Sequence, residues 1–388
     1  MSEGPVVVLG GGNTAFAVAA KLALEGRRVV LWEHPAQGAA IAPIRERLQI
    51  RLTGTGGEGT AALAAVTEDA GEALAAGDVL VAPVPSYAHA ACADALLPHL
   101  RPRHLLALTP GNLGSLYFAR RLRDAGLVPG GDGPVLAESD TAPYVCRKLA
   151  PDQAHIWGVV PNMGVGVFPA GATEGALARL APLFPGARPY PHALAAGLGA
   201  MNPVVHPPGV LLNAGRIEYS RGEFYFYEEG VTPGVVRVLE ALDAERRAIG
   251  RALGIDLLPV AAAFHAAGFG PQGDLWAAIN GSRMLTQLKA PGSLQTRWLS
   301  EDVPFGLRTW AELARRAGVP APVMTAVITL ADGVTGTDSW AAGRSLADLG
   351  IAGLFDERDR AALEHYLATA GILSMVGGHT RDALRENR

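Results

Sequence analysis

The sequence predicts an α/β first half, a mostly parallel sheet with appended antiparallel strands, followed by an all-α second half. Three observations carry this reading. In the first half, short continuous apolar runs alternate with helical stretches, the pattern of parallel strands buried on both faces. From about His192 strand-like runs become rare and helix-period segments dominate. Between the two, Pro185, Gly186, Pro189 and Pro191 supply linker chemistry. The predicted domains are therefore 1–188 and 189–388, each separately compact, with the cleft between them as the natural active site.

The elements follow in order. Pro5–Leu9 reads as the first strand and runs into Gly10-Gly11-Gly12-Asn13-Thr14-Ala15. An alanine-rich helix continues to Leu24, with Gly26 as its C′ residue. Arg28–Trp32 is the second strand and closes with Glu33. Asp78–Ala82 and His104–Leu108 are further strands, each with a loop at its carboxyl end, Pro83–Ser86 and Thr109–Asn112. Helices are expected over Tyr87–Leu97 and Leu113–Leu122, with Asn112 as N-cap or ligand contact. Val135–Glu138, Tyr144–Lys148, Ala154–Val160 and Val165–Pro169 read as strands whose short spacing suggests hairpins added to the parallel sheet. In the second half, helices are expected over Val235–Leu253, Pro259–Phe269, Leu275–Leu288, Trp310–Ala317, Pro322–Ala331 and Ala361–Leu373.

Composition narrows the function classes. The 388 residues carry 33 basic and 37 acidic side chains, a net −4 with no block of like charge, so a nucleic-acid partner is excluded. An apolar fraction of 49% supplies a core, and 18% charged residues argue against disorder. No apolar run is long enough for a membrane span, and the N-terminus lacks the basic region of a signal peptide. Cys92 and Cys146 are the two cysteines, with no CxxC, which fits a cytoplasmic protein. Without HExxH or a Cys/His cluster at zinc spacing, no metal is expected.

The glycine motif carries the first chemistry. Gly-x-Gly-x-x-Ala stands between a strand and a helix, and an acid, Glu33, follows 18 residues beyond Ala15. That is the context of a Rossmann dinucleotide site. Gly10 allows the tight turn, Gly12 lets backbone approach a pyrophosphate, and Ala15 keeps helix and strand close. Asn13 and Thr14 open the helix whose N-terminus faces the phosphates. Glu33 would accept from the ribose hydroxyls, and its charge favours NAD(H) over NADP(H). His34 and Arg45 are the cations placed to reverse that preference. Pro83 and Asn112, on the loops after the next two strands, complete the cofactor-binding set.

Two segments stand out in the second half. In Met201–Arg216, Asn202 reads as an N-cap with Pro203 at N1, His206 follows one turn in, and Pro207-Pro208 stops the turn. Arg297–Gly306 places a guanidinium and the carboxylates Glu301 and Asp302 within six residues, beside Trp298. Taken alone, a lone histidine such as His206 is more often structural or exposed than catalytic, and the second segment more often a charged surface turn.

Together, Gly10–Ala15, Asn202-x-x-x-His206-Pro207 and Arg297-x-x-x-x-Asp302-Val-Pro304 resemble the octopine/nopaline (opine) dehydrogenase family. Arg344–Gly350 is similar to that family's C-terminal region. The resemblance spans almost the whole chain in the right order. It implies a Rossmann domain, a helical domain, and reductive condensation of an amino acid with an α-keto acid such as pyruvate, using NADH or NADPH. It also implies His206 as acid/base, Asp302 as its carboxylate partner, Arg297 as keto-acid anchor and Asn202 as a substrate contact. The partners expected are these small molecules, with a homodimer as the candidate assembly. Other readings stay open: a ketopantoate- or glycerol-phosphate-type reductase using Lys289, an imine reductase for other amines, or a non-catalytic NAD(P)-binding sensor with His206 and Asp302 far apart. Glu223–Glu229, aromatic and acidic, could line an amino-acid pocket and pair with a cationic side chain, but such a run is more often a packed helix edge or dimer contact, and it is left outside the site.

Overall fold

The computed structural model describes residues 4–355 and 360–371. Its strands, in chain order, are β1 (Val6–Leu9), β2 (Val29–Trp32), β3 (Gln49–Gly54), β4 (Gly59–Ala62), β5 (Ala65–Thr67), β6 (Val79–Ala82), β7 (Leu105–Leu108), β8 (Val135–Ser139), β9 (Tyr144–Ala150), β10 (Gln153–Val159), β11 (Gly164–Phe168) and β12 (Arg188–Pro189). Eight of them form one sheet in the order β12-β11-β8-β7-β6-β1-β2-β5. Its strands from β8 to β5 run parallel, while β11 is antiparallel to β8. The chain leaves β1 in one direction for β2 and returns on its other side as β6, so the Gly10–Ala15 loop opens at a topological switch point.

The helix Asn13–Leu24 is apolar on nearly every side because both of its faces are covered. One face packs on the main sheet. The other is roofed by a second, four-stranded sheet of order β4-β3-β10-β9, with Ile50, Leu52, Ala61 and Ile156 buried against it. The helix ends as the glycine predicts: Gly26 takes φ +83°, and the Arg27 and Gly26 N–H groups donate to Leu22 and Ala23 carbonyls.

The second sheet corrects one expectation. Tyr144–Lys148 and Ala154–Val160 do pair as a hairpin, but with β3 rather than with the parallel sheet. The strands β3 and β4 and the helices Ala70–Ala76, Thr173–Leu180 and Ala193–Gly199 were not predicted. They are short or alanine- and glycine-rich, so their periodicity is weak.

Asn112 is not the cap of its helix. It adopts φ +48° and Leu113 φ +63°, and the helix Gly114–Asp124 follows. Capping falls instead to the buried Glu138 of β8, which accepts from the Leu113 and Ser115 N–H groups at 2.9 Å each. In the second half, Asn202 is the first helical residue rather than the cap, and the helix Asn202–Leu211 runs through Pro207 and Pro208 instead of stopping there. Each proline forfeits a backbone bond, but the helix is buried almost all round against Pro233–Ala252 and Asp302–Leu307, and packing holds it. The helix predicted over Leu275–Leu288 ends at Asn280, where Gly281 follows. That predicted over Ala361–Leu373 spans Arg360–Thr369, and residues 372 and 373 lie outside the described residues.

The halves expected to be separately compact share a core. Buried residues run without a break from Val7, Leu80 and Leu106 on the sheet, through Leu194 and Val204, to Leu239 and Trp310. The helix Arg360–Thr369 returns to the first half, where Tyr366 meets the Phe168 ring at 5.0 Å.

Candidate active site

At the glycine loop, Gly10 takes φ +110°, and a Cβ there would lie 3.0 Å from Val84. Gly12 is exposed, and a Cβ built on it meets nothing within 4 Å. It precedes the helix Asn13–Leu24 in an extended conformation, and no side chain caps the first-turn N–H groups. An open, uncapped N-terminus of a 12-residue helix fits the pyrophosphate of a dinucleotide. Asn13 and Thr14 line the adjoining cleft, and Ala15 is buried beneath it.

Glu33 is buried at the end of β2. Its oxygens accept from the Gly11 N–H at 2.5 Å and the His34 N–H at 2.8 Å, so the carboxylate grips the loop itself. Burial pushes its pKa up, against the pull of those hydrogen bonds. Of the two cations considered beside it, Arg45 pairs with Glu68, whereas His34 stays next to the carboxylate, its own N–H on Glu33 and its Nδ1 accepting from the Ala36 N–H. Lys148, from β9, donates to the Gly11 and Ala40 carbonyls at 3.3 and 3.0 Å.

The structure brings His206 and Asp302 together. His206 Nδ1 lies 2.8 Å from Asp302 Oδ2, and both side chains are buried. Burial raises the Asp302 carboxyl pKa, while the His206 hydrogen bond opposes the rise. Nε2 of the same ring lies 3.0 Å from the Tyr227 hydroxyl. Trp298 stacks on the imidazole with centroids 4.4 Å apart and planes at 12°. Tyr227 was missed by the sequence reading. Its stretch is the packed edge foreseen, with Phe224 and Phe226 buried, but a π-helical turn over Phe226–Gly230 carries the Tyr227 hydroxyl to the histidine. Asp302 likewise opens a π-helical turn, Asp302–Leu307. Such turns recur at functional sites because the extra residue re-aims a side chain.

Glu301 and Arg344 join the halves. Glu301 Oε1 accepts from the Ser86 N–H and hydroxyl at 2.8 and 3.0 Å, and its other oxygen from Arg297 Nε at 3.0 Å. Asn112 Nδ2 donates to the Ser86 hydroxyl at 3.2 Å, tying together the two loops predicted to flank a ligand. Arg344 donates to the Asn112 carbonyl at 2.8 Å and the Ser86 carbonyl at 3.3 Å. Pro83 is buried behind Ser86. One cleft of about 520 Å³ is thereby lined by Asn13, Thr14 and Arg147 from the first half and by Asn202, His206 and Arg297 from the second. Lys289 is not part of it and pairs with Glu223 on the surface. Arg147 was not singled out in the sequence, where one arginine on a half-exposed strand carries no signal.

A nucleotide-binding sheet with an open glycine loop, joined to helices that carry a paired histidine and carboxylate, defines a two-part dinucleotide-dependent oxidoreductase. Comparison with known proteins makes the class specific. Residues 189–335 match the family described as NAD/NADP octopine/nopaline dehydrogenase, alpha-helical domain. The chain is 33% identical to the opine dehydrogenase of Arthrobacter sp. (strain 1C), over 92% of this chain and 98% of that protein. Its fold is similar to octopine dehydrogenase in complex with NADH and agmatine, with a TM-score of 0.71, 21% identity, and coverage of 89% and 96% of the two chains. It is also similar to NADP⁺-bound yersinopine dehydrogenase, with a TM-score of 0.67, 16% identity, and coverage of 94% and 99%. The chain belongs to the octopine/nopaline (opine) dehydrogenase family. It is an NAD(P)-dependent oxidoreductase acting on CH–NH donors, and its reaction is the reductive condensation of an amino acid with a keto acid. Among the described residues, no helix is long and apolar enough to cross a membrane.

Proposed function

We propose that His206 is the proton-exchanging group of this reaction, with Asp302 fixing its ring and Arg297 and Asn202 holding a small keto acid such as pyruvate. The observation that supports this most directly is the 2.8 Å His206–Asp302 pair in a cleft that also reaches the glycine loop. The amine and the keto acid condense to an imine with loss of water. The nicotinamide, when bound, supplies the hydride for the imine carbon. His206 gives the proton that completes the secondary amine, or takes it back in the oxidative direction. With Asp302 on Nδ1, Nε2 is the nitrogen that exchanges, and the Tyr227 hydroxyl beside it holds the ring's second edge. Arg297 uses Nε for Glu301, and its terminal nitrogens have no protein partner among the described residues. They suit a bidentate carboxylate, which sets the face of the imine offered for reduction.

The cofactor-binding residues in this reading are Gly10, Gly12, Asn13, Thr14, Ala15, Glu33, Pro83 and Asn112, and the preferred cofactor is NADH. Glu33 supports the preference, because a buried carboxylate at the end of β2 repels a 2′-phosphate while Arg45 is occupied by Glu68. NADH oxidation with pyruvate, glyoxylate or 2-oxoglutarate against a panel of amino acids and simple amines tests the reaction. Comparing kcat/KM for NADH and NADPH tests the cofactor: the ratio should favour NADH and shrink in Glu33→Gln. A larger value with NADPH in the unaltered protein would reverse that assignment.

A further inference from the structure

We infer that the amine substrate is an α-amino acid with an uncharged, apolar side chain, and that Arg147 binds its carboxylate. This rests on the reaction proposed above and names its unassigned half. Condensation of an amino acid with a keto acid gives a product with two carboxylates. The cleft offers two guanidinium groups, one from each half of the molecule, Arg297 and Arg147. Arg297 is held by Glu301, which is the residue before Asp302, the carboxylate partner of His206. Arg147 lies on the exposed side of β9 and pairs with no acidic side chain among the described residues. The strand pairs with β10 through its backbone, which fixes the position of the residue without using its side chain. A free guanidinium in a substrate cleft suits a carboxylate better than any other common group.

The rest of the wall decides the side chain. Phe264, Phe269, Leu285 and Leu288 line the cleft, and no aspartate or glutamate does. The two carboxylates nearest in sequence to the site are spent: Asp302 on His206, Glu301 on Ser86 and Arg297. An arginine or lysine substrate would bring a further cation to a cleft that already holds two, with nothing to neutralise it. That costs both desolvation and like-charge repulsion. An apolar side chain meets the aromatic and leucine wall and releases water from it.

The experiment is a kcat/KM series with saturating NADH and a fixed keto acid. The amine partners are L-phenylalanine, L-methionine, L-arginine, L-lysine and phenethylamine, the decarboxylated counterpart of phenylalanine. Phenylalanine or methionine should exceed arginine and lysine by at least about tenfold, and phenylalanine should exceed phenethylamine by a similar factor. Arg147→Ala should raise the KM for phenylalanine roughly 10- to 100-fold, the worth of a charged hydrogen bond, with a much smaller change in kcat. It should erase the preference over phenethylamine, whereas Arg147→Lys should restore part of it. An unchanged Tm shows that the altered protein is folded, so the rate with phenethylamine reads the carboxylate contact and not the fold. A preference for arginine or lysine would overturn the apolar pocket while leaving the reaction intact. An equal loss with phenylalanine and phenethylamine in Arg147→Ala would overturn the carboxylate contact. No turnover with any amino acid would overturn the inference and the proposed reaction together.

Discussion

His206 is gripped on both ring nitrogens and on one face, by Asp302, Tyr227 and Trp298. A histidine so held cannot turn, and a fixed imidazole is what proton transfer to a bound substrate requires. His206→Ala is expected to lower kcat by roughly 10²–10⁴, the usual worth of a general acid/base. The Kd for NADH, read by fluorescence titration, should stay nearly the same, because the glycine loop lies on the other half. Asp302→Asn keeps a hydrogen bond to Nδ1 but removes the negative charge beside the ring. Its kcat should fall by less than that of His206→Ala, with the Kd for NADH again nearly unchanged. If Asp302 acts through the ring, as proposed, the double variant should cost little more than His206→Ala alone. Fully additive losses would show that the two residues work separately.

Among the elements, the segment after β8 links the nucleotide sheet to the cleft. Asp140 follows Ser139, accepts from the Gly164 N–H at 2.9 Å and from the Tyr190 hydroxyl at 3.1 Å, and leads into Thr141 on the cleft wall. Burial pushes its carboxyl up to about 7. A folded pKa above the unfolded value means that the native state keeps a proton the unfolded chain has already lost. The stabilisation is complete below the unfolded pKa of about 4 and declines as pH rises towards 7. Asp140→Asn removes that titration, so its Tm should fall less than that of the parent between pH 5 and pH 8. Identical slopes in the two proteins would assign the buried proton elsewhere. A neighbouring element, the helix Asn202–Leu211, shows the same dominance of surroundings over local preference, holding its form through two consecutive prolines.

For the molecule as a whole, Arg344 is one of the buried polar ties between its halves. Its guanidinium is buried, donates to the Asn112 and Ser86 carbonyls, and lies 2.9 Å from His89 Nδ1. Burial lowers its pKa to about 10, which leaves it charged at neutral pH. The rings of Tyr117 and Phe305, one from each half, flank it at 5.1 and 5.2 Å. Arg344→Ala strands buried acceptors and opens a void at the junction. It should reduce the unfolding free energy by about 3 kcal/mol or more in urea titrations. A loss below about 1 kcal/mol would mean that the shared apolar core holds the halves without it.

What the sequence determined by itself is what depends on neighbours along the chain. The strand–glycine loop–helix–strand order, the helix stop at Gly26 and most of the parallel strands follow from apolar runs and turn residues within a few positions of one another. The segments around His206 and Asp302 were likewise visible as motifs, though not as a contact, since 96 residues separate the pair. Tertiary structure alone decided the rest. The roofing sheet exists because β10 pairs with β3 from far upstream, and nothing in either strand states its partner. Asn112 carries cap chemistry, yet the cap is Glu138, brought in on a parallel strand. Tyr227 reaches His206 only through a π-helical turn, and Arg147 reaches the cleft only because the start of β9 is packed along its wall. Periodicity and turn chemistry are local energies, whereas a site is a set of side chains from distant segments, placed by the packing of the whole core.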